Sequence, residues 1–276
     1  MADKAILYDA TRCTACRGCQ VACKQWNEND EYIPAPTDET GVQAKNWGSY
    51  ENPPELSANT WLRIKFTELE RDGKVDWLFT RHACMHCTEA SCEQVCPTGA
   101  ISHQDGIVVI DQKWCIGCGY CVQACPFHVP HKDEVLGTAR KCTLCTTPGL
   151  NRLAEGWEPA CVKTCPTNAL IIGDRSELVA EGRKRVQTLI ANGYDNAYLY
   201  GDEELGGLGL LYVLDDSPEV YGLPKAPQVA ISASVGQWLS GILTAGVVAA
   251  LPFWFLFKRR KQIEAEQQTK VEGGTR

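Results

Sequence analysis

Sixteen cysteines carry most of the chemical potential of this 276-residue chain, and they stand in four groups of four. The groups are Cys13, Cys16, Cys19 and Cys23; Cys84, Cys87, Cys92 and Cys96; Cys115, Cys118, Cys121 and Cys125; and Cys142, Cys145, Cys161 and Cys165. None is left over. Thiols in this number can form disulfides, bind zinc or hold iron–sulfur clusters. Tight runs of C-x2-C-x2-C leave little geometric freedom for disulfides. Zinc sites usually take two cysteine pairs, or cysteine mixed with histidine.

The third group settles the preference among these. Cys115-Ile-Gly-Cys118-Gly-Tyr-Cys121-Val-Gln-Ala-Cys125-Pro126 matches the bacterial ferredoxin run C-x2-C-x2-C-x3-C-P position for position. Three thiolates on one tight loop can cap a face of an iron–sulfur cubane, and a small residue such as Gly117 lets the backbone fold around it. The fourth cysteine is expected to begin a helix and point away, toward a neighbouring cluster. Cys-Pro recurs at Pro97, Pro126 and Pro166, whereas the first group ends Cys23-Lys24. The tails Cys96-Pro-Thr-Gly-Ala-Ile101 and Cys165-Pro-Thr-Asn-Ala-Leu170 also repeat, so the ligand loops belong to a duplicated unit.

The elements that must position these loops can be read between them. Leu62, Ile64 and Phe66 alternate with Arg63, Lys65 and Thr67, the pattern of a half-buried strand, and Asp72-Gly73 turns the chain toward Val75–Phe79. A short buried strand is expected at Ile107–Ile110, after a turn at Asp105-Gly106. Asp174 opens a helix running to about Asn192-Gly193, with a plausible cap. Leu208–Leu214 reads as a strand, and the three prolines between Ser217 and Gln228 as an extended linker. Trp26, Trp47, Trp61 and Trp77 lie in the insertion between the first two groups. Most are expected in local core, and some on a partner surface.

Composition excludes other classes. Lys plus Arg total 27 against 34 for Asp plus Glu, a net charge of −7 with no basic stripe, so no nucleic-acid partner is expected. The N-terminus has no secretory leader pattern. From Ala226 to Phe257 no charged residue or histidine occurs, and Trp238–Phe257 has the length of a helix that crosses a lipid bilayer. Lys258-Arg-Arg-Lys261 follows it at once, which predicts a cytoplasmic tail with the cysteine domain outside, the reverse orientation being the alternative.

Beyond spacing, the chain resembles the four-cluster ferredoxin-like subunits of molybdenum or tungsten bis-pterin oxidoreductases, and in detail the iron–sulfur (beta) subunit of membrane-bound formate dehydrogenase. The resemblance rests on Cys19-Gln-Val-Ala-Cys23 with Trp26-Asn27, Cys84-Met-His-Cys87, the Cys115–Cys121 run, Lys141-Cys-Thr-Leu-Cys145 and Glu158–Pro166. Gly193-Tyr-Asp-Asn-Ala197 and Tyr212-Val-Leu214 narrow it further. It implies four [4Fe–4S] clusters with crossed ligation. Cys13, Cys16, Cys19 and Cys165 would hold one cluster, and Cys142, Cys145, Cys161 and Cys23 the next. Cys115, Cys118, Cys121 and Cys96 would hold a third, and Cys84, Cys87, Cys92 and Cys125 a fourth.

The implied fold is α+β: two nested bacterial-ferredoxin-like modules and one C-terminal transmembrane helix. The outer module takes 1–80 and 139–200, with the insertion 25–81, and the inner module 82–138. A strand and linker follow at 201–228, the span at 229–257 and a cytoplasmic tail at 258–276. The resemblance also implies a molybdopterin catalytic alpha subunit and a haem b-carrying membrane gamma subunit that passes electrons to quinone. Location at the inner membrane with a periplasmic cluster domain follows, the domain crossing already folded with a partner that bears a twin-arginine signal. The Cys13 cluster is expected nearest the catalytic subunit and the Cys84 cluster nearest the haem.

No catalytic residue is expected in this chain. Gly207-Leu208-Gly209 reads as a glycine-rich turn rather than a dinucleotide fingerprint. His82, His86 and His128 flank cysteine groups and are expected to support them or face solvent. Two alternatives stay open: the equivalent subunit of a nitrate, thiosulfate, polysulfide or sulfoxide reductase, or a zinc-stapled membrane adaptor.

Overall fold

A computed structural model describes residues 4–29, 50–71, 73–230, 244–246 and 248–260. The chain opens with strand β1 (Lys4–Asp9) and helix α1 (Gly18–Trp26), followed by the long strands β2 (Leu62–Arg71) and β3 (Lys74–Ala83). Next come α2 (Ser91–Gln94), β4 (Ile101–Gln104), β5 (Ile107–Ile110), α3 (Tyr120–Ala124) and the two-residue strands β6 (His131–Lys132) and β7 (Ala139–Arg140). The order ends with α4 (Ala160–Lys163), β8 (Leu170–Asp174), α5 (Arg175–Ala191), β9 (Tyr198–Tyr200) and β10 (Leu210–Leu214).

One four-stranded sheet, ordered β8-β1-β10-β9, joins the two ends of the cysteine-bearing region. Strand β1 runs antiparallel to β8 and parallel to β10, with Tyr8 opposite Tyr212. Both central strands are near-continuous apolar runs because both of their faces are covered. Ala5, Leu7, Leu211 and Val213 pack under α5 with Leu178 and Leu189. Ile6, Tyr8, Leu210, Tyr212 and Leu214 point the other way, into the core that contains the cysteines. There Tyr8 Oη donates to the Phe79 carbonyl at 2.8 Å and Tyr212 Oη to the Arg81 carbonyl at 2.5 Å, fastening the sheet to β3.

Strands β2 and β3 form the expected hairpin, paired from Leu62↔Ala83 to Arg71↔Lys74. Strands β4 and β5 pair across Asp105-Gly106, both with positive φ (51° and 78°), as a tight hairpin turn demands. Helix α1 packs on α4 and α2 on α3. The tryptophans divide: Trp61 is buried, Trp26 half-buried and Trp77 exposed, while Trp47 lies outside the described residues.

Two expectations need correction. Ser217–Gln228 is no extended linker throughout, because turns at Ser217–Leu223 bury Tyr221 and Leu223, and Thr80 Oγ1 donates to the Tyr221 carbonyl at 2.9 Å. Apolar side chains among the prolines had a core to enter. Asp174 stands at the N-terminus of α5 but makes no side-chain cap; its carboxylate takes Lys4 Nζ at 2.7 Å instead. Among the described residues no helix is long and apolar enough to cross a membrane. Residues 244–246 and 248–260 are helical and exposed, and 231–243 and 247 of the expected span lie outside the described residues. The chain divides into two units at Ala230/Ile231.

Candidate metal centres

The four cysteine loops share one backbone device. In each C-x-x-C the residue before the second cysteine is left-handed: Ala15 (φ 52°), His86 (48°), Gly117 (63°) and Leu144 (53°). For the three side-chain-bearing residues that conformation is uncommon and costs free energy, which the surrounding fold must offset. It turns backbone N–H groups toward sulfur. Ala15 N donates to Cys13 Sγ at 3.4 Å, His86 N to Cys84 Sγ at 3.5 Å and Leu144 N to Cys142 Sγ at 3.4 Å. Cys115 Sγ receives Ala139 N at 3.3 Å. Such donors favour the charged thiolate. Gly117 has a further constraint, since a Cβ there would lie 1.9 Å from the Gly137 carbonyl oxygen.

The third cysteine of every group, and not the fourth, begins a helix. Cys19, Cys92, Cys121 and Cys161 each occupy the second helical position of α1, α2, α3 and α4. The fourth follows four residues later in all groups, at Cys23, Cys96, Cys125 and Cys165. One turn of helix advances a side chain by about 6 Å. That displacement separates Cys23 from Cys19 within α1, while Cys96, Cys125 and Cys165 stand just past the ends of α2, α3 and α4.

Where the thiols converge can be followed from shared cavities and mutual electrostatics. One cavity is lined by Cys13, Cys16, Cys19 and Cys165, together with Tyr8, Ile64 and Leu170. A second is lined by Cys96, Cys115, Cys118 and Cys121 beside Ile101 and Ala139. Burial, then the neighbouring Cys142, Cys161 and Cys145, pushes Cys23 well above the ordinary thiol range. Burial, then Cys84, Cys125 and Cys92, does the same to Cys87. Each set mixes three cysteines of one group with the fourth of another.

The same couplings order the four sets. Cys19, pushed up to about 12 by burial, also feels Cys161 of the Cys142 set. Cys142 feels Cys84, and Cys92, also at about 12 from burial, feels Cys121. The Cys84 set therefore lies between the Cys142 set and the Cys115 set, not at an end of the series. Cys16 is exposed in one terminal set and Cys118 in the other. Helices α2 and α3, which carry Cys92 and Cys121, pack together.

All sixteen cysteines are free thiols. Among the described residues no group of three or more His, Cys, Asp or Glu is arranged to hold a single metal ion. The donor sets would suit a multi-iron group, each thiolate serving a different iron. Both cavities offer four sulfurs and no histidine or carboxylate, the all-thiolate environment of iron–sulfur clusters. Iron would also reverse the raised thiol pKa values, since a coordinated thiol is deprotonated.

Two buried cations that sequence reasoning missed stand beside these sets. Arg81 is 1% exposed, and its Nη2 approaches Cys161 Sγ at 3.8 Å. Lys141 is 3% exposed; its Nζ donates to the Val108 carbonyl and, at 3.2 Å, to the Cys142 carbonyl, and its charge opposes the rise that burial imposes on the Cys92 and Cys125 thiols. The signal for Arg81 was available: it shares a face of β3 with Phe79 and Ala83, where alternation calls for an apolar residue. The histidines line neither cavity. His82 Nε2 is 2.9 Å from the Phe127 carbonyl, His86 is buried in the Cys84–Cys87 loop, and His128 is exposed. Gly207-Leu208-Gly209 lies along that same loop: Gly209 N donates to the His86 carbonyl at 3.0 Å and Thr88 N to the Gly207 carbonyl at 2.9 Å.

Two family models, each described as a 4Fe-4S dicluster domain, match residues 12–100 and 75–175. The iron–sulfur subunit of the nitrate-inducible formate dehydrogenase of Escherichia coli is 40% identical over 254 residues, which cover 90% of this chain and 82% of that protein. The formate dehydrogenase-O iron–sulfur subunit of the same organism is 41% identical, covering 86% and 75%. The formate dehydrogenase subunit beta of Megalodesulfovibrio gigas is 35% identical, covering 79% of this chain and 97% of its own.

Proposed function

Because the chain belongs to the family of formate dehydrogenase iron–sulfur subunits, we propose that its sixteen thiols hold four [4Fe–4S] clusters, set in one series. The chain is an electron-transfer subunit of a formate dehydrogenase, not the subunit that oxidises formate. When bound, such clusters supply one-electron redox chemistry, with potentials tuned by burial, charge and hydrogen bonds to sulfur. The protein's own residues do the positioning. Cys13, Cys16, Cys19 and Cys165 form one terminal site; Cys23, Cys142, Cys145 and Cys161 the next; Cys84, Cys87, Cys92 and Cys125 the third; and Cys96, Cys115, Cys118 and Cys121 the other terminus. The N–H groups of Ala15, His86, Leu144 and Ala139 steady the sulfurs, and the apolar lining excludes water.

The observation that supports this reading is the coupling of the four thiol sets one to the next, Cys19 with Cys161, Cys142 with Cys84 and Cys92 with Cys121, with one exposed cysteine in each terminal set. A conductor between two proteins needs both of its ends at the surface. The Cys16 end would face a molybdopterin catalytic subunit and the Cys118 end a membrane subunit carrying haem b, which delivers electrons to quinone. Trp114, Ile116 and Tyr120 are exposed around Cys118, as expected of a side chain set covered in the complex.

The charge-free stretch to Phe257 and the exposed apolar residues Phe253–Phe257 support a single span at 229–257. The basic run after it supports a cytoplasmic tail and a periplasmic cluster domain. Two measurements test the whole. Intact complex should contain about sixteen iron atoms and as many sulfides per copy of this chain, beyond those of its partners; half that value in active complex refutes four clusters. Protease added to intact spheroplasts should digest the cluster domain, and full protection until lysis would place it inside.

A further inference from the structure

Arg81 is a buried charge without an ordinary partner. Among the described residues its Nε and Nη1 have no hydrogen-bond partner, and no carboxylate pairs with it. Its one side-chain bond is the 3.8 Å contact from Nη2 to Cys161 Sγ. The groups whose charge it feels are Cys161 and Cys142 of one thiol set, Cys19 of another, and Tyr212. A guanidinium stays protonated under all relevant conditions, and a buried charge persists only where something compensates it. Here the compensation on hand is sulfur. The strand holds the residue firmly, since Arg81 pairs with Ile64 across the hairpin and its carbonyl accepts the Tyr212 hydroxyl.

We propose that Arg81, whose Nη2 meets Cys161 Sγ at 3.8 Å, is a shared counter-charge for the clusters of the Cys142 and Cys13 sets, the outer pair in sequence, favouring the reduced form of both. The inference rests on the reading that these thiols hold clusters. Reduction adds one electron, and so one negative charge, to a centre already surrounded by four thiolates. Two such centres side by side repel each other's added charge, and a fixed cation between them offsets that repulsion. An opposite charge within ~4–6 Å shifts a proton equilibrium by roughly one to three powers of ten, and an electron equilibrium in the same field shifts comparably.

The test is a redox titration of the intact complex, followed by electron paramagnetic resonance, in the parent and in Arg81→Met, Arg81→Gln and Arg81→Lys. Signals of the outer pair are identified by Cys13→Ser and Cys142→Ser. In the neutral variants both outer midpoints should fall, each by at least tenfold in the reduction equilibrium, or about 59 mV for one electron. Arg81→Lys, which keeps the charge and loses the fork, should lower both by less. Signals of the inner pair should stay within a factor of three. Outer midpoints unchanged in a neutral variant with full iron would overturn the proposal, as would an equal shift of all four signals. Should neither neutral variant assemble, the lysine variant is read alone: a smaller fall of both outer midpoints with the inner pair unmoved supports the proposal, and no fall, or an equal shift of all four signals, overturns it. Iron and sulfide in the parent complex judge the four-cluster reading separately.

Discussion

Gly117→Ala, set beside Gly119→Ala, separates what the Cys115 loop needs from what a glycine merely permits. Both positions are left-handed, with φ of 63° and 80°, so each alanine costs about 1–2 kcal/mol in backbone conformation. At Gly119 that is all, because nothing lies within 4 Å of the new methyl group. At Gly117 the methyl carbon would stand 1.9 Å from the Gly137 carbonyl oxygen, about 1.5 Å inside ordinary contact. Gly137 cannot retreat easily. Its N–H donates to the Asp133 carbonyl at 2.8 Å, and the Asp133 carboxylate holds Val135 N and Leu136 N at 3.0 Å each and Arg140 at 3.2 Å. The displacement therefore falls on the loop that aims Cys115 and Cys118. Gly119→Ala should keep all iron and lose a few degrees of thermal midpoint. Gly117→Ala should lose the iron of one cluster, about a quarter of this chain's total, with one paramagnetic signal missing. Equal iron in the two variants would refute the argument that close approach, rather than dihedral freedom, fixes glycine at 117.

Cys23→Ser and Cys142→Ser should disturb the same paramagnetic signal, because Cys23 is grouped with Cys142 rather than with its own loop; separate signals would refute crossed ligation. Tyr212→Phe removes the hydroxyl that joins the sheet to the Arg81 carbonyl and should destabilise the folded domain by about 1–2 kcal/mol, read as a lower denaturation midpoint with cluster content unchanged. Burial alone would raise the Asp133 carboxyl, but the N–H groups of Leu136 and Val135, with Arg140, hold it below the usual carboxylate range. Its folded pKa being depressed, Asp133 stabilises the 133–138 turn at neutral pH and ceases to as pH falls through that value. Protection of the Val135 and Leu136 amides from exchange should decline below about pH 4, and Asp133→Asn should flatten that dependence.

The parts of the fold legible in sequence were those set by local chemistry. Sixteen cysteines at fixed spacing, the Asp-Gly turn at Asp105-Gly106, and the alternation of Leu62, Ile64 and Phe66 each declare themselves within a few residues. What stayed hidden depends on distant partners. Nothing local says that β10 must lie parallel to β1, because Leu210–Leu214 reads equally as any buried strand. Tyr221 and Leu223 sit among prolines, and only the β2–β3 hairpin beneath them makes that segment core. The helix position of the third cysteine is a subtler case: spacing of four residues between third and fourth cysteines was visible in every group, and it implies one helical turn between two sites. The order of the four sets was beyond reach, since it follows from α2 packing on α3.

Nesting one pair of thiol sets inside another is thermodynamically easy and kinetically demanding. Cys23 and Cys142 are 119 positions apart, whereas Cys96 and Cys115 are only 19 apart. Loop-closure entropy grows with the logarithm of length, so bringing the outer cysteines together costs about 1.6 kcal/mol more than bringing the inner ones together. That is little for enclosing a whole second module. The delay is larger in time than in free energy, because distant contacts must wait for the segments between them to become compact. The outer sheet adds to this. Strand β1 begins at Lys4, but its parallel neighbour is β10, ending at Leu214, so the sheet that carries Tyr8 and Tyr212 closes only when nearly the whole cluster-bearing unit is in place. Until then Arg81 lacks the Tyr212 hydroxyl on its carbonyl, and Cys165 has not been brought to Cys13. The segment between can order from local contacts, as β4 with β5 and α2 with α3.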